Sequence, residues 1–256
     1  MLNKKIKISI LGSTGSIGTQ ALDVISAFPD TFEIIGLAAS SNIALLSKQI
    51  KRFKPKAIYM STKQHISTLK DQNLDQINYH YDSQGLIDIA CYDTDILLVA
   101  TPGNQSIKAI EKALDHTKNL ALASKEILVV AGSFIMPLAK QKNVTVLPVD
   151  SEHAAIHQLL KHTHKDLVKK VTLSASGGPF LYRDTLENIT VKEALKHPNW
   201  NMGSKISIDS ATMMNKGFEI IEAHHLFELP YDQLDAIIHP QSIIHAFVEQ
   251  HDGAIF

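Results

Sequence analysis

Asp150-Ser151-Glu152-His153 sets two carboxylates one residue apart, just after a short apolar run, Val144–Leu147, that closes at Pro148. That run reads as a buried strand, and the residues through Leu160 as a helix. Two such acids at the mouth of an α/β sheet can bind a hard divalent cation such as Mg2+ or Mn2+. They can equally cap the helix, with Asp150 or Ser151 as N-cap and Glu152 in the first turn. The stretch alone leaves both readings open. Farther along, Asn215, Lys216 and Glu219 recur at helical intervals within Ile206–Phe227 and so share a face. That face is either solvated, with one Lys216–Glu219 salt bridge, or part of a site. His153 and His157 have a spacing that can hold zinc, but no third ligand follows at a diagnostic interval, which favours a surface or supporting role. The loop Ala175-Ser176-Gly177-Gly178-Pro179 is rich in N–H and hydroxyl donors, as phosphate nests are. His197–Gly203, with the lone Trp200, reads as a lid over substrate or as a locally packed loop.

The elements that must position these groups alternate. Ile6–Leu11 reads as a buried parallel strand that flows into Gly12-Ser13-Thr14-Gly15-Ser16-Ile17-Gly18 and then a helix with Ala21, Leu22, Val24, Ile25 and Phe28 on its apolar face. Glycines permit a tight turn and close approach to a pyrophosphate, and the helix N-terminus offers free N–H groups. The spacing is G-x-x-G-x-x-G, so the motif gains its meaning from its strand–turn–helix setting, which points to dinucleotide binding. Glu33–Ala38 is the second strand, and at its end stand Ser40-Ser41-Asn42, neither the acid that suits NAD nor the base that suits NADP; the missing acid leans mildly toward NADP. Ile43–Phe53 is helical, Ala57–Met60 a strand, Lys63–Leu69 a helix, Ser83–Ala90 a helix and Asp95–Ala100 a strand. Thr101-Pro102-Gly103-Asn104 then turns into the helix Gln105–Leu114, and the strand Asn119–Ala123 ends at Ser124-Lys125-Glu126. This rhythm predicts a doubly wound, mostly parallel α/β sheet with ligands at the carboxyl ends of its strands. After residue 160 the rhythm changes to α+β, with strands expected at Val168–Ser174, Ala236–His239, Ser242–Val248 and Ala254–Phe256.

Composition bounds the rest. At 256 residues and 45% hydrophobic content, one large or two ordinary domains can be built. A net charge of −1 gives no electrostatic case for nucleic acid or an anionic membrane. The one cysteine, Cys91, rules out an internal disulfide and fits a reducing, cytoplasmic setting. No apolar run reaches the roughly 18 residues of a membrane helix, and the basic start MLNKK leads too quickly into the glycine turn to be a signal peptide.

Taken together the motifs resemble the 1-deoxy-D-xylulose 5-phosphate reductoisomerase family. The resemblance rests on GSTGSIG, on SKE at Ser124–Glu126, on VDSEH at Val149–His153, on SGGPF at Ser176–Phe180, on HPNWNMG at His197–Gly203 and on DSATMMNKGFE at Asp209–Glu219. It covers essentially the whole chain in family order. It implies an NADPH-binding Rossmann-like domain over residues 1–149 and a catalytic α+β domain over residues 150–256. The implied reaction rearranges 1-deoxy-D-xylulose 5-phosphate and reduces it to 2-C-methyl-D-erythritol 4-phosphate, for isoprenoid biosynthesis, in a cytoplasmic homodimer. The implied metal ligands for Mn2+, Mg2+ or Co2+ are Asp150, Glu152 and Glu219. Substrate phosphate would fall to Ser176, Ser210, Asn215 and Lys216, with His197 nearby. Lys125 and Ser151 would hold the carbon chain, with Trp200 and Met202 on the lid. NADPH would meet Thr14, Gly15, Ser16 and Ile17, then Ser40, Ser41 and Asn42, then Ser124, Glu126 and Gly203.

Three departures stand out. The family usually has a base where Ser41 stands, so NADP preference is expected to be weaker or supported from elsewhere. It usually has Asn where Ser124 stands. It also continues with a C-terminal helical domain that the resemblance does not find here, so the 256-residue chain alone is expected to be weakly active or unstable; full turnover would refute that. Among rival readings, a semialdehyde-dehydrogenase type needs a catalytic cysteine, and Cys91 lies in no matching motif. A non-catalytic dinucleotide sensor would have no need of the full set of carboxylates and phosphate donors.

Overall fold

A computed structural model describes residues 4–70, 77–200 and 202–256. Two compact units divide it, Met1–Leu147 and Pro148–Phe256. The first alternates β1 (Ile6–Leu11), α1 (Ser16–Ala27), β2 (Phe32–Ala38), α2 (Ile43–Phe53), β3 (Ala57–Met60), α3 (Lys63–Lys70), β4 (Asn78–Tyr81), α4 (Asp82–Ala90), β5 (Thr94–Val99), α5 (Ile107–Ala113), β6 (Thr117–Leu122), α6 (Lys125–Gln141) and β7 (Thr145–Pro148). The strands form one seven-stranded sheet in the order β4-β3-β2-β1-β5-β6-β7. Parallel pairing joins β1 to β2 and β5, β3 to β2 and β4, and β5 to β6. Its middle is apolar: Ile10, Leu11, Leu37, Ile58, Leu97 and Leu120 are fully buried, as strands covered on both faces require.

Several expectations need correction. Strand β4 was not foreseen: Asn78-Tyr79-His80-Tyr81 lacks an apolar run because it lies at the sheet edge, half exposed. Helix α6 was obscured by Pro137, which sits in its interior; the helix bends at Ala131 (φ −134°, ψ 16°) and continues. On α1 the buried face is narrower than the apolar pattern suggested, since Val24 and Phe28 are exposed while Leu22 and Ile25 are buried. The segment connecting α3 to β4 includes residues 71–76, outside the described residues.

The glycine turn is fixed by contact distances. A Cβ on Gly18 would fall 2.2 Å from the Gly12 carbonyl oxygen and 2.6 Å from Ser13 Cα, so helix α1 can sit on the turn only with glycine there. Underneath, Ser13 Oγ donates to Gln49 Oε1 at 2.9 Å and Gln49 Nε2 donates back to the Ser13 carbonyl at 2.8 Å, a buried brace. Gly18→Ala is therefore expected to cost roughly 1–3 kcal/mol and lower the thermal midpoint by several degrees in a melting experiment.

The second unit carries α7 (Ser151–Leu160), β8 (Val168–Ala175), α8 (Val191–Ala194), α9 (Ser204–Ser210), α10 (Met214–Phe227), β9 (Leu234–Ile238) and β10 (Ala246–Gln250). Its sheet runs β10-β8-β9, with β8 parallel to β9 and antiparallel to β10. Ile156 of α7 and Ala223 and Phe227 of α10 pack with Val168, Val171, Leu173 and Val248 in one core. The span expected to be one helix from Ile206 to Phe227 is two, α9 and α10. Thr212 Oγ1 accepts the Met214 N–H at 3.2 Å, a local bond that competes with helix continuation. Strand β10 starts later than expected because Ser242 adopts φ +50° in a turn. Ala254–Phe256 makes only an isolated bridge, Glu249 to Ile255.

Candidate active site

Two helices bring the acids together. Asp150 is the N-cap of α7: its Oδ1 accepts the Glu152 N–H at 3.3 Å and lies 3.2 Å from His153 Nδ1. Ser151 is thus not the cap; its hydroxyl donates to Glu152 Oε2 at 2.8 Å. From α10, Glu219 points in, only 2% exposed. One ligand oxygen each of Asp150, Glu152 and Glu219 lies within 4.8 Å of the others. Burial, then Glu219 and Asp150, push the Glu152 carboxyl up against the opposing pull of Lys216.

The Lys216–Glu219 pair is no solvated face. Lys216, 6% exposed, donates to Glu219 Oε2 and stands 3.8 Å from Glu152 Oε1. Asn215 Nδ2 donates to Glu219 Oε1 at 2.5 Å. Glu219 therefore links the carboxylate cluster to the cationic and amide donors expected to take phosphate.

Two neighbours, Glu222 and His245, escaped the sequence reading. His153, expected in a surface or supporting role, is wholly buried, with Glu222 Oε2 at 3.4 Å from Nδ1 and the Glu219 carbonyl at 2.8 Å from Nε2, and its ring stacks on Phe227. His245 Nδ1 lies 3.3 Å from Glu152 Oε1. The signal for Glu222 was present as a row Lys216, Glu219, Glu222 at three-residue steps along α10; His245 had none, because β10 brings it in from far along the chain.

Beside them lies the donor-rich loop. Gly178 (φ +72°) has its Cβ position 2.2 Å from the Ser210 carbonyl oxygen, so the Ser176 loop closes on the end of α9 only through glycine. Ser176 Oγ lies 2.9 Å from His197 Nε2. Trp200 is 49% exposed on the His197–Gly203 loop, whose Asn201 lies outside the described residues. Gly203 opens α9.

In the first unit, the turns named for a dinucleotide follow β1, β2 and β6. Thr14 and Gly15 lead into α1, which begins with Ser16 and Ile17. The Ser40 carbonyl accepts both the N–H and the hydroxyl of Ser61, at 3.1 and 2.8 Å, so the Ser40–Ser41 turn is tied to the end of β3. Asn42 Oδ1 is used as the N-cap of α2, accepting the Leu45 N–H at 3.1 Å. The Ser124 hydroxyl donates to the Thr101 carbonyl, which staples two of these turns together, and buried Lys125 and then Glu126 begin α6. Cys91 ends α4, and burial followed by Asp88 and Asp115 push its thiol up, the opposite of an activated nucleophile.

A parallel sheet with a glycine turn after its first strand, in a chain that also carries a carboxylate cluster, defines a Rossmann-type protein with a hard-cation donor set. Residues 8–132 match the family model described as 1-deoxy-D-xylulose 5-phosphate reductoisomerase, and residues 146–227 that of its C-terminal domain. The chain belongs to the 1-deoxy-D-xylulose 5-phosphate reductoisomerase family. A relative of that name from Thermoanaerobacter pseudethanolicus is 49% identical over 97% of this chain and 66% of its own. A solved DOX-P reductoisomerase in complex with NADPH, fosmidomycin and magnesium superposes with a TM-score of 0.91 at 40% identity, over 98% of this chain and 65% of that one. The Zymomonas mobilis enzyme in complex with NADPH gives 0.90 at 38% identity, over 99% and 66%. The chain thus spans 66% of the length of the first curated relative it matches. Among the described residues, no helix is long and apolar enough to cross a membrane.

Proposed function

We propose that this chain contributes an NADPH- and divalent-metal-dependent rearrangement and reduction of 1-deoxy-D-xylulose 5-phosphate to 2-C-methyl-D-erythritol 4-phosphate, in non-mevalonate isoprenoid synthesis. The observation that carries the proposal is the cluster Asp150, Glu152 and Glu219, in which three carboxylates crowd within 4.8 Å. The fit to a divalent cation is good: the donors are all hard oxygens, and Glu152 is pushed up by burial and by the other two acids, a repulsion a cation offsets. Asp150, Glu152 and Glu219 would hold it. Bound there, it supplies Lewis acidity to the substrate's oxygens.

The protein's own groups do the rest. Lys216 gives the phosphate a point charge, and Ser176, Ser210 and Asn215 set its geometry, with His197 supporting. Lys125 and Ser151 orient the hydroxylated carbons. Trp200 and Met202 exclude water, which preserves the aldehyde until hydride arrives. NADPH is held by Thr14, Gly15, Ser16, Ile17, Ser40, Ser41, Asn42, Ser124, Glu126 and Gly203. A cytoplasmic homodimer is the assembly this reading expects. The test is NADPH oxidation with that sugar phosphate, with and without Mn2+, repeated with NADH. Oxidation that needs both Mn2+ and the phosphorylated sugar is the expected result, with NADH the poorer reductant despite Ser41; oxidation indifferent to Mn2+ would refute the metal role.

A further inference from the structure

We infer that Asn199 is a positioning residue that, through His197, turns the Ser176 hydroxyl into an obligate donor toward a dianionic phosphate. The inference rests on the proposed phosphate site and extends it to a residue outside the donor set. His197 Nδ1 lies 3.2 Å from the main-chain nitrogen of Asn199 and 3.0 Å from that of Trp200. Both are amide N–H groups and can only donate, so Nδ1 is the bare acceptor and the ring proton sits on Nε2. That proton faces Ser176 Oγ at 2.9 Å. The Gly178 N–H reaches the same oxygen at 3.3 Å. A hydroxyl accepts two hydrogen bonds and donates one. With both acceptor positions taken, Ser176 can meet a ligand only through its hydrogen. Phosphate oxygens, which only accept, suit that valence; a ligand hydroxyl or ammonium donor does not. Burial holds the His197 imidazole below its ordinary pKa, which keeps it in the neutral form that this wiring needs.

Asn199 keeps the imidazole in place. Its side-chain amide donates to the Pro240 carbonyl at 2.6 Å and to Ser242 Oγ at 3.1 Å. The turn that it grips is rooted beside Ser176, for the His239 N–H donates to the Ala175 carbonyl at 2.7 Å and the Ser242 N–H to the His239 carbonyl at 3.0 Å. The His239 ring accepts the Ile243 N–H at 3.1 Å and stiffens that turn. A closed circuit results: Ala175 to the His239–Ser242 turn, across Asn199 to His197, and back to Ser176.

The test compares binding of 1-deoxy-D-xylulose 5-phosphate with that of its phosphate-free sugar, using the whole chain with Mn2+. In Asn199→Ala, preference for the phosphorylated sugar is expected to fall about tenfold while NADPH affinity stays unchanged. In a Ser176→Ala background, the same substitution should add little, because both act on one hydrogen bond. Nitrogen-15 spectra should show the His197 Nε2–H tautomer in the wild type and a tautomer mixture in Asn199→Ala. Asn199→Gln, which keeps the amide donor, should restore part of the preference. A wild-type tautomer and preference in Asn199→Ala, or full additivity with Ser176→Ala, would overturn the inference. A wild-type chain that binds both sugars equally well would overturn the phosphate site itself and the inference with it.

Discussion

Glu219→Gln is expected to weaken Mn2+ binding at least about 100-fold and to lower metal-dependent NADPH oxidation about 1000-fold, while NADPH affinity stays unchanged. Glutamine keeps the size and one carbonyl of glutamate but removes the charge. Three consequences converge on that residue. The carboxylate cluster drops to two members, Asp150 and Glu152. Lys216, which donates to Glu219, is left with Glu152 at 3.8 Å as its acidic neighbour. Asn215 loses a carboxylate acceptor now at 2.5 Å, so the expected phosphate donors shift as well. Paramagnetic resonance of Mn2+ measures the first effect, and nicotinamide fluorescence controls for the fold of the first unit. Unchanged Mn2+ affinity would remove Glu219 from the ligand set.

His153→Leu should destabilise the metal-free chain by about 3–5 kcal/mol, the cost of leaving buried carboxylates without their cation. His153 and Glu222 are both fully buried, and Asp150 is nearly so. Burial alone would lower the imidazole pKa, but Glu222 and Asp150, with the hydrogen bond to the Glu219 carbonyl, lift it from 6.5 to about 9. The sign follows from linkage. A folded pKa above the unfolded one gives stability that is complete below pH 6.5 and is lost as pH rises through about 9. Denaturant midpoints of the chelator-treated wild type should therefore decline across that window. Adding Glu222→Leu to His153→Leu should recover much of the loss and flatten the pH dependence, since an apolar pair needs no compensation. A double variant weaker than the single one would show that packing on Phe227, rather than charge, carries the effect.

Much of this was legible because it is written in local chemistry. Glycines at positions 12, 15 and 18 and β-branched runs such as Ile6–Leu11 announce turn and strand without help from the rest of the chain. Edge strand β4 did not announce itself, because a half-exposed strand needs no apolar run. The break between α9 and α10 was hidden for a different reason: the apolar spacing carries across it, while the Thr212 hydroxyl takes the Met214 N–H at the break. At the site, helix spacing put Asn215, Lys216 and Glu219 on one face, and the resemblance joined Glu219 to Asp150 and Glu152. It could not give the partnership of His153 with Glu222 or of His245 with Glu152, since those are made by tertiary packing of α7, α10 and β10. Asn199 was passed over because a loop asparagine has no pattern until its turn partners are seen.

Strand β8 has a consequence for how the protein is made. It sits between β9 and β10, and the Ser174 hydroxyl bonds the Ile244 carbonyl across 70 residues of chain. At roughly 5–20 residues per second of ribosomal synthesis, β8 waits several seconds with both edges bare. Lys169 and Lys170 stand on it during that interval as charges that discourage pairing with another chain. Once β9 and β10 emerge, the same lysines find Asp235 and Glu249 at 2.6 Å each. The guards of the nascent strand become the clasps of the finished sheet, and the Ser176 loop takes its shape in that late step.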